Sequence, residues 1–427
     1  MTTMILLGTF LVLFALRLSV TTAMGIACVV GLLYADYPLS QIPRYMTTGI
    51  ESFVLLAVPF FILVGNLLNT TGATERIFDF SKAIFGRIPG SLAQVNIGAS
   101  MIFAGMSGAA LADAAGLGTI EMKAMREAGY RPPFAAAITL ASSMIGPIIP
   151  PSIVMVIYSA STGVSTGRMF LAGVLPGVAT GVILMIYVGF LARTGREACP
   201  LAERFSAGRV VRTGKRASLA LLAPAIILGG LVTGVVTPTE AGVVAVFYAL
   251  LLGVLYRSFS GGRFMAAFRE TAVASATILY LIAVSSVMGW IVTVEGTAQD
   301  LAALVGEFSA NKYVGLLAIN VFLLVLGCVI ETTAAILICS SLLLPVAQAM
   351  GIDPVHFGVI LCFNLLIGMM TPPMGVGLYV ISSVGKVSVE ELIRAIWPFL
   401  IPLVGSLLMI TFIPELSLWL PSLVFGS

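Results

Sequence analysis

The chain has 427 residues, 59% hydrophobic and only 10% charged, with a mean hydropathy of +1.09 and a formal net charge of +3. Soluble domains carry about 25% charged residues, so these values exclude an ordinary soluble globule and indicate a single all-helical bundle in a bilayer. The lone histidine, His356, and five cysteines without CxxC spacing exclude a His-based metal centre and a His-containing triad, and the small net charge gives no sign of nucleic-acid binding.

In chain order, the first apolar stretch, 4–18, carries Arg17 and runs almost directly into another at 23–34. No basic segment precedes it, so it is expected to be a first span and not a cleavable signal peptide, with Arg17 snorkelling to the inner interface. Spans are predicted near 4–20, 22–36, 52–70, 134–164, 170–192, 217–236, 238–256, 270–292, 356–384 and 396–424. Two longer, interrupted segments lie near 93–127 and 313–350. Thr237-Pro238-Thr239-Glu240 has the spacing of a capping box with Pro at the first helical position. Segment 193–216 holds Arg193, Arg196, Arg204, Arg209, Arg212, Lys215 and Arg216, which places it in the cytoplasm. Arg257, Arg263 and Arg269 mark a second cytoplasmic loop, whereas Glu295, Asp300 and Glu307 lie on a stretch nearly free of bases that should face outward.

The interrupted segments break this alternation. Arg76, Lys82 and Arg87 precede 93–127, and Lys123, Arg126 and Arg131 end it, so both of its ends read as cytoplasmic. A re-entrant hairpin satisfies that pattern and a span does not; its tip would be Gly105-Met106-Ser107-Gly108-Ala109. Segment 313–350 is flanked by Glu307 and Asp353, hence by the outer face, with its tip near Ile330-Glu331-Thr332-Thr333. This topology leaves both chain ends outside.

The two hairpins belong to a repeat. At one constant offset, without a gap, Gly105 falls on Gly327, Gly129 on Gly351 and Pro132 on Pro354. Ile145-Gly146-x-x-x-Pro150-Pro151 falls on Ile367-Gly368-x-x-x-Pro372-Pro373, Gly163 on Gly385, and Pro176 on Pro398. Repeat 1 is predicted over 1–192, with spans in 1–72, the hairpin at 93–127 and a broken helix at 134–164. A basic linker, 193–216, joins it to repeat 2 over 217–427, with spans in 217–292, the hairpin at 313–350, a broken helix at 356–384 and a last span at 396–424. Opposite hairpin orientations make these inverted-topology repeats, the plan of a secondary transporter.

Two consecutive prolines stop a helix, and non-helical backbone at membrane depth persists only where it lines a cavity or is buried in protein. Segments 146–151 and 368–373 should therefore be unwound links between half-helices. Their freed carbonyls, with the hydroxyls of Ser107, Thr332, Thr333 and Thr371, suit sodium, and opposing half-helix N-termini suit a carboxylate. The expected sodium ligands come from Gly105, Ser107, Gly108, Gly146, Pro150, Glu331, Thr332, Thr333, Gly368 and Thr371. The expected substrate contacts come from Ser107, Gly108, Ala109, Pro150, Pro151, Thr332, Thr371, Pro372 and Pro373. Asp113 is expected to cap the returning helix of the first hairpin. For Glu331, capping, sodium ligation and proton binding stay open. No cofactor is expected beyond sodium as the coupling ion.

Gly351-Ile352-Asp353-Pro354-Val355-His356-Phe357-Gly358, followed by Ile367-Gly368-Met369-Met370-Thr371-Pro372-Pro373-Met374-Gly375, resembles the large membrane subunit of tripartite ATP-independent periplasmic (TRAP) transporters. Val236-Thr237-Pro238-Thr239-Glu240-Ala241, Val58-Pro59-Phe60-Phe61, Ser107-Gly108 and Ala112-Asp113 carry the same resemblance. It implies a scaffold domain, a mobile transport domain holding both hairpins, and elevator-type movement in a bacterial inner membrane, with both termini periplasmic. It further implies sodium-driven uptake of an organic acid delivered by a periplasmic binding protein, and a separate small four-span membrane subunit. Four-carbon dicarboxylates, sialic acid, sugar acids and 2-oxo acids are the candidate substrates. Ala109 and Ala110 stand where family members often carry a further Ser, which leaves only carbonyls at those positions. A single-component sodium/divalent-anion symporter would share the hairpin plan without needing a binding protein. A passive channel and a membrane enzyme fit less well, the latter because the chain offers no nucleophile–base pair.

Overall fold

The computed structural model describes residues 1–200, 206–258, 261–297, 312–372 and 375–426, with Ser107 described by its backbone alone. Arg204, Asp300 and Glu307, three of the charges that orient the chain, lie outside the described residues. The described residues form helices and connecting turns. Among the described residues, seven helices are long and apolar enough to cross a membrane: Phe53–Thr70, Thr166–Arg193, Ala207–Val232, Pro238–Leu255, Gly261–Val294, Thr332–Ala349 and Val389–Phe412. The chain is therefore a multi-pass membrane protein.

Several elements differ from the sequence expectation. The first two apolar stretches are helices of 14 and 15 residues, Thr2–Ala15 and Val20–Tyr34. At 1.5 Å per residue they reach about 21–23 Å, less than the ~30 Å hydrocarbon core. Arg17 sits exposed in the turn between them with φ +68°. The last apolar stretch is divided: Val389–Phe412 stops before Pro414, and Glu415–Phe425 follows as a separate helix. Glu390 and Glu391 in the first turn had hidden the start of the longer helix from an apolar-run reading. Gln41–Ile50 and Ala73–Phe85 went unread for the same reason, since each is amphipathic and short. The capping box at Thr237 is present: its hydroxyl accepts from the Glu240 N–H at 3.3 Å and its own N–H donates to Glu240 at 2.7 Å.

The helices pack in two groups. Thr2–Ala15, Val20–Tyr34, Gln41–Ile50, Ala57–Thr70, Pro238–Leu255 and Gly261–Val294 pack on one another. The second group contains the helix-turn-helix segments and interrupted helices, backed by Thr166–Arg193, Val389–Phe412 and Glu415–Phe425. The groups meet where Gly261–Val294 lies on Thr332–Ala349 and where Ala57–Thr70 lies on Leu92–Ser107.

Within the second group the same order of elements occurs twice. Leu92–Ser107, Ala110–Ala115 and Leu117–Glu127 are followed by Pro132–Ser143, a nonhelical link, and Ile153–Thr162. Lys312–Gly327 and Thr332–Ala349 are followed by Pro354–Gly368, a second link, and Val376–Gly385. Ala110 and Pro132 begin helices, and so do Thr332 and Pro354, the positions on which they fall at the offset that carries Gly105 to Gly327. A polar clasp also recurs. Ser142 donates to Asn96 at 2.6 Å, tying the first interrupted helix to its hairpin, and Asn364, on which Ser142 falls at the same offset, donates to Asn320 at 2.8 Å. All four side chains are buried, where a bonded polar pair fixes register because an unbonded one is costly.

Candidate functional site: two hairpin tips against two helix breaks

The first hairpin turns at Gly108, which has φ +64°, a conformation glycine adopts without a Cβ penalty. A Cβ there would also collide with the Pro151 carbonyl oxygen. The Gly108 carbonyl accepts from the Ile153 N–H at 3.4 Å. Tip and link are therefore in direct backbone contact. The link runs from Met144 to Ser152, includes a cis Pro150-Pro151 bond, and ends where Ser152 caps the second half-helix by accepting from Met155 N–H at 3.2 Å. Gly108, Gly146, Pro150 and Pro151 are buried, and Ala109 is half-buried.

Asp113 lies in the first turn of the returning helix and is not its N-cap residue. Ala109 is the N-cap of Ala110–Ala115 and has no side-chain cap bond. Asp113, 4% exposed, instead lies with its carboxylate against Gly146, where a Cβ would collide with Oδ2. The chain bends at Gly116 (φ −80°, ψ −85°) just beyond it, so the inward face of the first turn meets the link. Glu121 is 1% exposed and near enough to Asp113 for their charges to interact, and its Oε1 has no hydrogen-bond partner among the described residues. Neither the carboxylate–link contact nor the role of Glu121 was read from the sequence.

In the second copy Glu331 is the N-cap of Thr332–Ala349, accepting from the Ala334 N–H at 3.1 Å. Of its three open roles, capping is the one the structure displays. Thr332 and Thr333, in the first turn of that helix, are buried. The Thr371 hydroxyl donates to the Ile367 carbonyl at 2.8 Å, and the Cys328 thiol at the hairpin tip donates to the Leu324 carbonyl at 3.0 Å. Glu331, Thr332, Cys328 and Met369 line a cavity of about 20 Å³ whose far wall is Leu111 of the first hairpin. The two hairpin tips thus approach one space. It admits one water-sized particle, for which about 10–15 Å³ suffices, and no organic acid. Pro372 is half-buried, and Pro373 lies outside the described residues.

Two glycines expected among the ligands are sites of close packing. A Cβ on Gly105 would stand 2.5 Å from Pro224 Cβ on Ala207–Val232, so that glycine admits a neighbouring helix. Gly368 lies backbone to backbone with Gly327.

A larger cavity, about 310 Å³, opens along the seam between the two helix groups. Hydroxyls of Thr48, Ser52, Ser161, Ser285, Ser286, Thr293 and Ser341 line it, and none of its lining residues is charged. Ser286 and Thr293 donate to carbonyls one turn back at 2.9 and 2.8 Å, and Ser341 does so at 3.2 Å. Hydroxyls parked in this way keep their lone pairs available and can swing to a ligand. At its edge Ser161 and Ser340 are 3.1 Å apart, joining the first interrupted helix to the second hairpin. The doublets Ser285-Ser286 and Ser340-Ser341 inside apolar spans were the sequence signal for this cavity.

Such a multi-pass bundle, with paired helix-turn-helix segments and paired helix breaks, is the architecture of a membrane transporter. The fold is similar to that of the YdaH transporter of Alcanivorax borkumensis, with a TM-score of 0.58, 16% identity, and coverage of 92% of this chain and 90% of that one. Residues 7–416 match the tripartite ATP-independent periplasmic transporter DctM component, and the chain belongs to that family. It is 46% identical over 385 residues to the sialic acid TRAP transporter large permease protein SiaM of Vibrio cholerae serotype O1, covering 90% of each chain. It is 37% identical over 373 residues to the C4-dicarboxylate TRAP transporter large permease protein DctM of Pseudomonas aeruginosa, covering 87% of each. The 2,3-diketo-L-gulonate large permease YiaN of Escherichia coli is 33% identical over 418 residues, with 97% of this chain and 98% of that one covered. These relatives are transport permeases, not enzymes.

Proposed function

We propose that the chain is the large permease subunit of a sodium-driven, binding-protein-dependent TRAP transporter in a bacterial inner membrane. It imports a polyhydroxylated carboxylate of the sialic acid or sugar-acid class. The observation that carries this reading is the hydroxyl-lined seam cavity. Its 310 Å³ lies at the small end of the ~300–1,000 Å³ typical of small-molecule sites. Parked hydroxyls offer lone pairs to ligand O–H groups, whereas a C4-dicarboxylate would bring two charges to a wall without a cation. The identity to SiaM points the same way.

In this reading the second helix group moves against the first as an elevator, with the seam as the sliding surface. The repeats have inverted topology, the hairpins enter from opposite faces, and both termini are periplasmic. Carbonyls of the 108–109 turn and the 144–152 link form one sodium site, and Glu331, Thr332 and Thr371 form the other. A bound cation beside the seam offsets the carboxylate's charge. A small four-span subunit and a periplasmic binding protein complete the machine.

The test is uptake into proteoliposomes holding both membrane subunits, with binding protein outside and an inward sodium gradient. Sodium-dependent accumulation of a sialic or sugar acid, absent when the binding protein is withheld, is expected. Accumulation of a dicarboxylate by the large chain alone would overturn the reading in favour of a single-component symporter.

A further inference from the structure

Ala73–Phe85 packs on Ala207–Val232, and with Tyr256 the two enclose a cavity of about 400 Å³ that shares no lining residue with the seam cavity. Arg76, Lys215 and Arg216 contribute three positive charges to its lining and Asp79 one negative charge, a balance of +2. Arg76 is held in place by stacking, its guanidinium carbon 3.3 Å from the Tyr256 ring centroid. Its Nη1 is shut off from solvent, as is the Tyr256 hydroxyl, and neither makes a well-directed hydrogen bond among the described residues.

A guanidinium can only donate. A buried N–H without an acceptor is a standing penalty, and a charged one more so, unless a ligand relieves it. A stacked guanidinium with a solvent-shielded N–H and two further cations around one space define a site for an anion with several acceptor oxygens. Arginine recognises phosphate of this kind through its planar fork. Lys215 and Arg216 lie at the basic start of a membrane-crossing helix, so by the distribution of Lys and Arg the cavity is at the cytoplasmic headgroup level. Leu219, one turn further along that helix, supplies an apolar wall on the bilayer side.

We infer that this cavity is a binding site for a phosphate-bearing anion, filled by the headgroup of an anionic phospholipid of the cytoplasmic leaflet. The placement gives the site a function. Ala73–Phe85 follows the span Ala57–Thr70 of the first helix group and packs on Leu92–Ser107 of the second. A phosphate gripped between Arg76 and Arg216 pins this connecting helix to Ala207–Val232 and makes transport responsive to leaflet charge.

The experiment uses the purified full-length chain in neutral detergent. Binding of short-chain phosphatidylglycerol, of phosphatidylcholine and of inorganic phosphate is followed by native mass spectrometry and thermal melting. Phosphatidylglycerol should be retained at least several-fold better than phosphatidylcholine and should raise the melting temperature. Arg76→Gln should remove most of that preference, and so should the double variant Lys215→Gln/Arg216→Gln, whose positions are exposed and safe for folding. Arg263→Gln, outside the cavity, should not. If inorganic phosphate alone produces the full shift and blocks the lipid, the phosphate site stands and its source is the soluble anion. Equal retention of both lipids, or an unchanged preference in the double variant, overturns the site and returns these cations to a solvated surface or to a partner subunit's acidic side chain.

Discussion

Gly327 and Gly368 meet backbone to backbone: a Cβ on Gly368 would stand 2.5 Å from both Cα and the carbonyl carbon of Gly327. Lys312–Gly327 and Pro354–Gly368 can touch at their ends only because both positions lack a side chain. The counterparts in the first repeat do not make the same contact, since Gly105 faces Pro224 and Gly146 faces Asp113. The repeated glycines thus preserve close approach while the partner differs.

Gly368→Ala forces this junction apart. A contact under 3.0 Å to backbone cannot be relieved by a rotamer change, so a penalty of about 1–3 kcal/mol is expected. The melting temperature should fall, and uptake should fall further because the displaced backbone includes Cys328 at the hairpin tip, whose N a Cβ on Gly368 would also crowd. Gly405→Ala, where a Cβ meets nothing within 4 Å, is the control. Equal behaviour of the two variants would show that the glycine pair has no role in packing.

Cys199 tests orientation. It is half-buried, and burial together with the neighbouring Glu197 carboxylate raises its thiol to about 11. The thiolate is the reactive form, so labelling by an impermeant maleimide should be slow at pH 7 and should rise about tenfold per pH unit until the pKa is approached. Because the folded-state pKa lies above the ordinary value, reactivity is suppressed across that whole window. Labelling should occur in inside-out vesicles and not in right-side-out ones. The opposite sidedness would reverse the topology and the entry faces of both hairpins.

Much of this arrangement could be read from the chain because paired glycines and prolines constrain the backbone locally, although Pro176 and Pro398 lie inside continuous helices. Pro132 and Pro354 open helices, and the Gly-to-Pro-Pro intervals break them, as their chemistry requires. What depends on the opposing surface could not be read. Asp113 lies against Gly146, which belongs to a different helix-and-link unit, a relation that no local pattern announces. The seam cavity draws most of its hydroxyls from Gln41–Ile50, Ile153–Thr162, Gly261–Val294 and Thr332–Ala349, elements scattered along the chain that each supply only a few. The amphipathic helices Gln41–Ile50 and Ala73–Phe85 were hidden because a search for apolar runs rewards spans and passes over helices that are half polar.

Ser286→Ala and Ser341→Ala test the seam cavity. Each removes one hydroxyl parked on its own helix and leaves the helix intact. A lost hydrogen bond to ligand of about 1 kcal/mol should raise the KM for the acid by roughly fivefold. The sodium concentration at half-maximal uptake should stay unchanged at saturating acid. A wild-type KM in both variants would remove the seam cavity from the substrate's path.

Thr371→Val separates the sodium site from the substrate site. Valine keeps the side-chain shape but gives up the hydroxyl oxygen and its bond to the Ile367 carbonyl. The Ile367 carbonyl still accepts from the Met370 N–H at 3.1 Å, so no buried acceptor is left unpaired. The bundle should therefore stay folded. One ligating oxygen fewer costs on the order of 1 kcal/mol, so half-saturating sodium should rise roughly fivefold while the KM for the acid at saturating sodium changes little. Ser107→Ala asks the same of the first hairpin. The measurement is uptake against sodium concentration in the complete system, with expression matched to wild type. Unchanged sodium curves in both variants would show that these hydroxyls are not ligands. Uptake indifferent to sodium but driven by a proton gradient would sink sodium coupling itself. The carboxylates to examine then would be Asp113 and Glu121, which are both buried, before Glu331, which is exposed and engaged in capping.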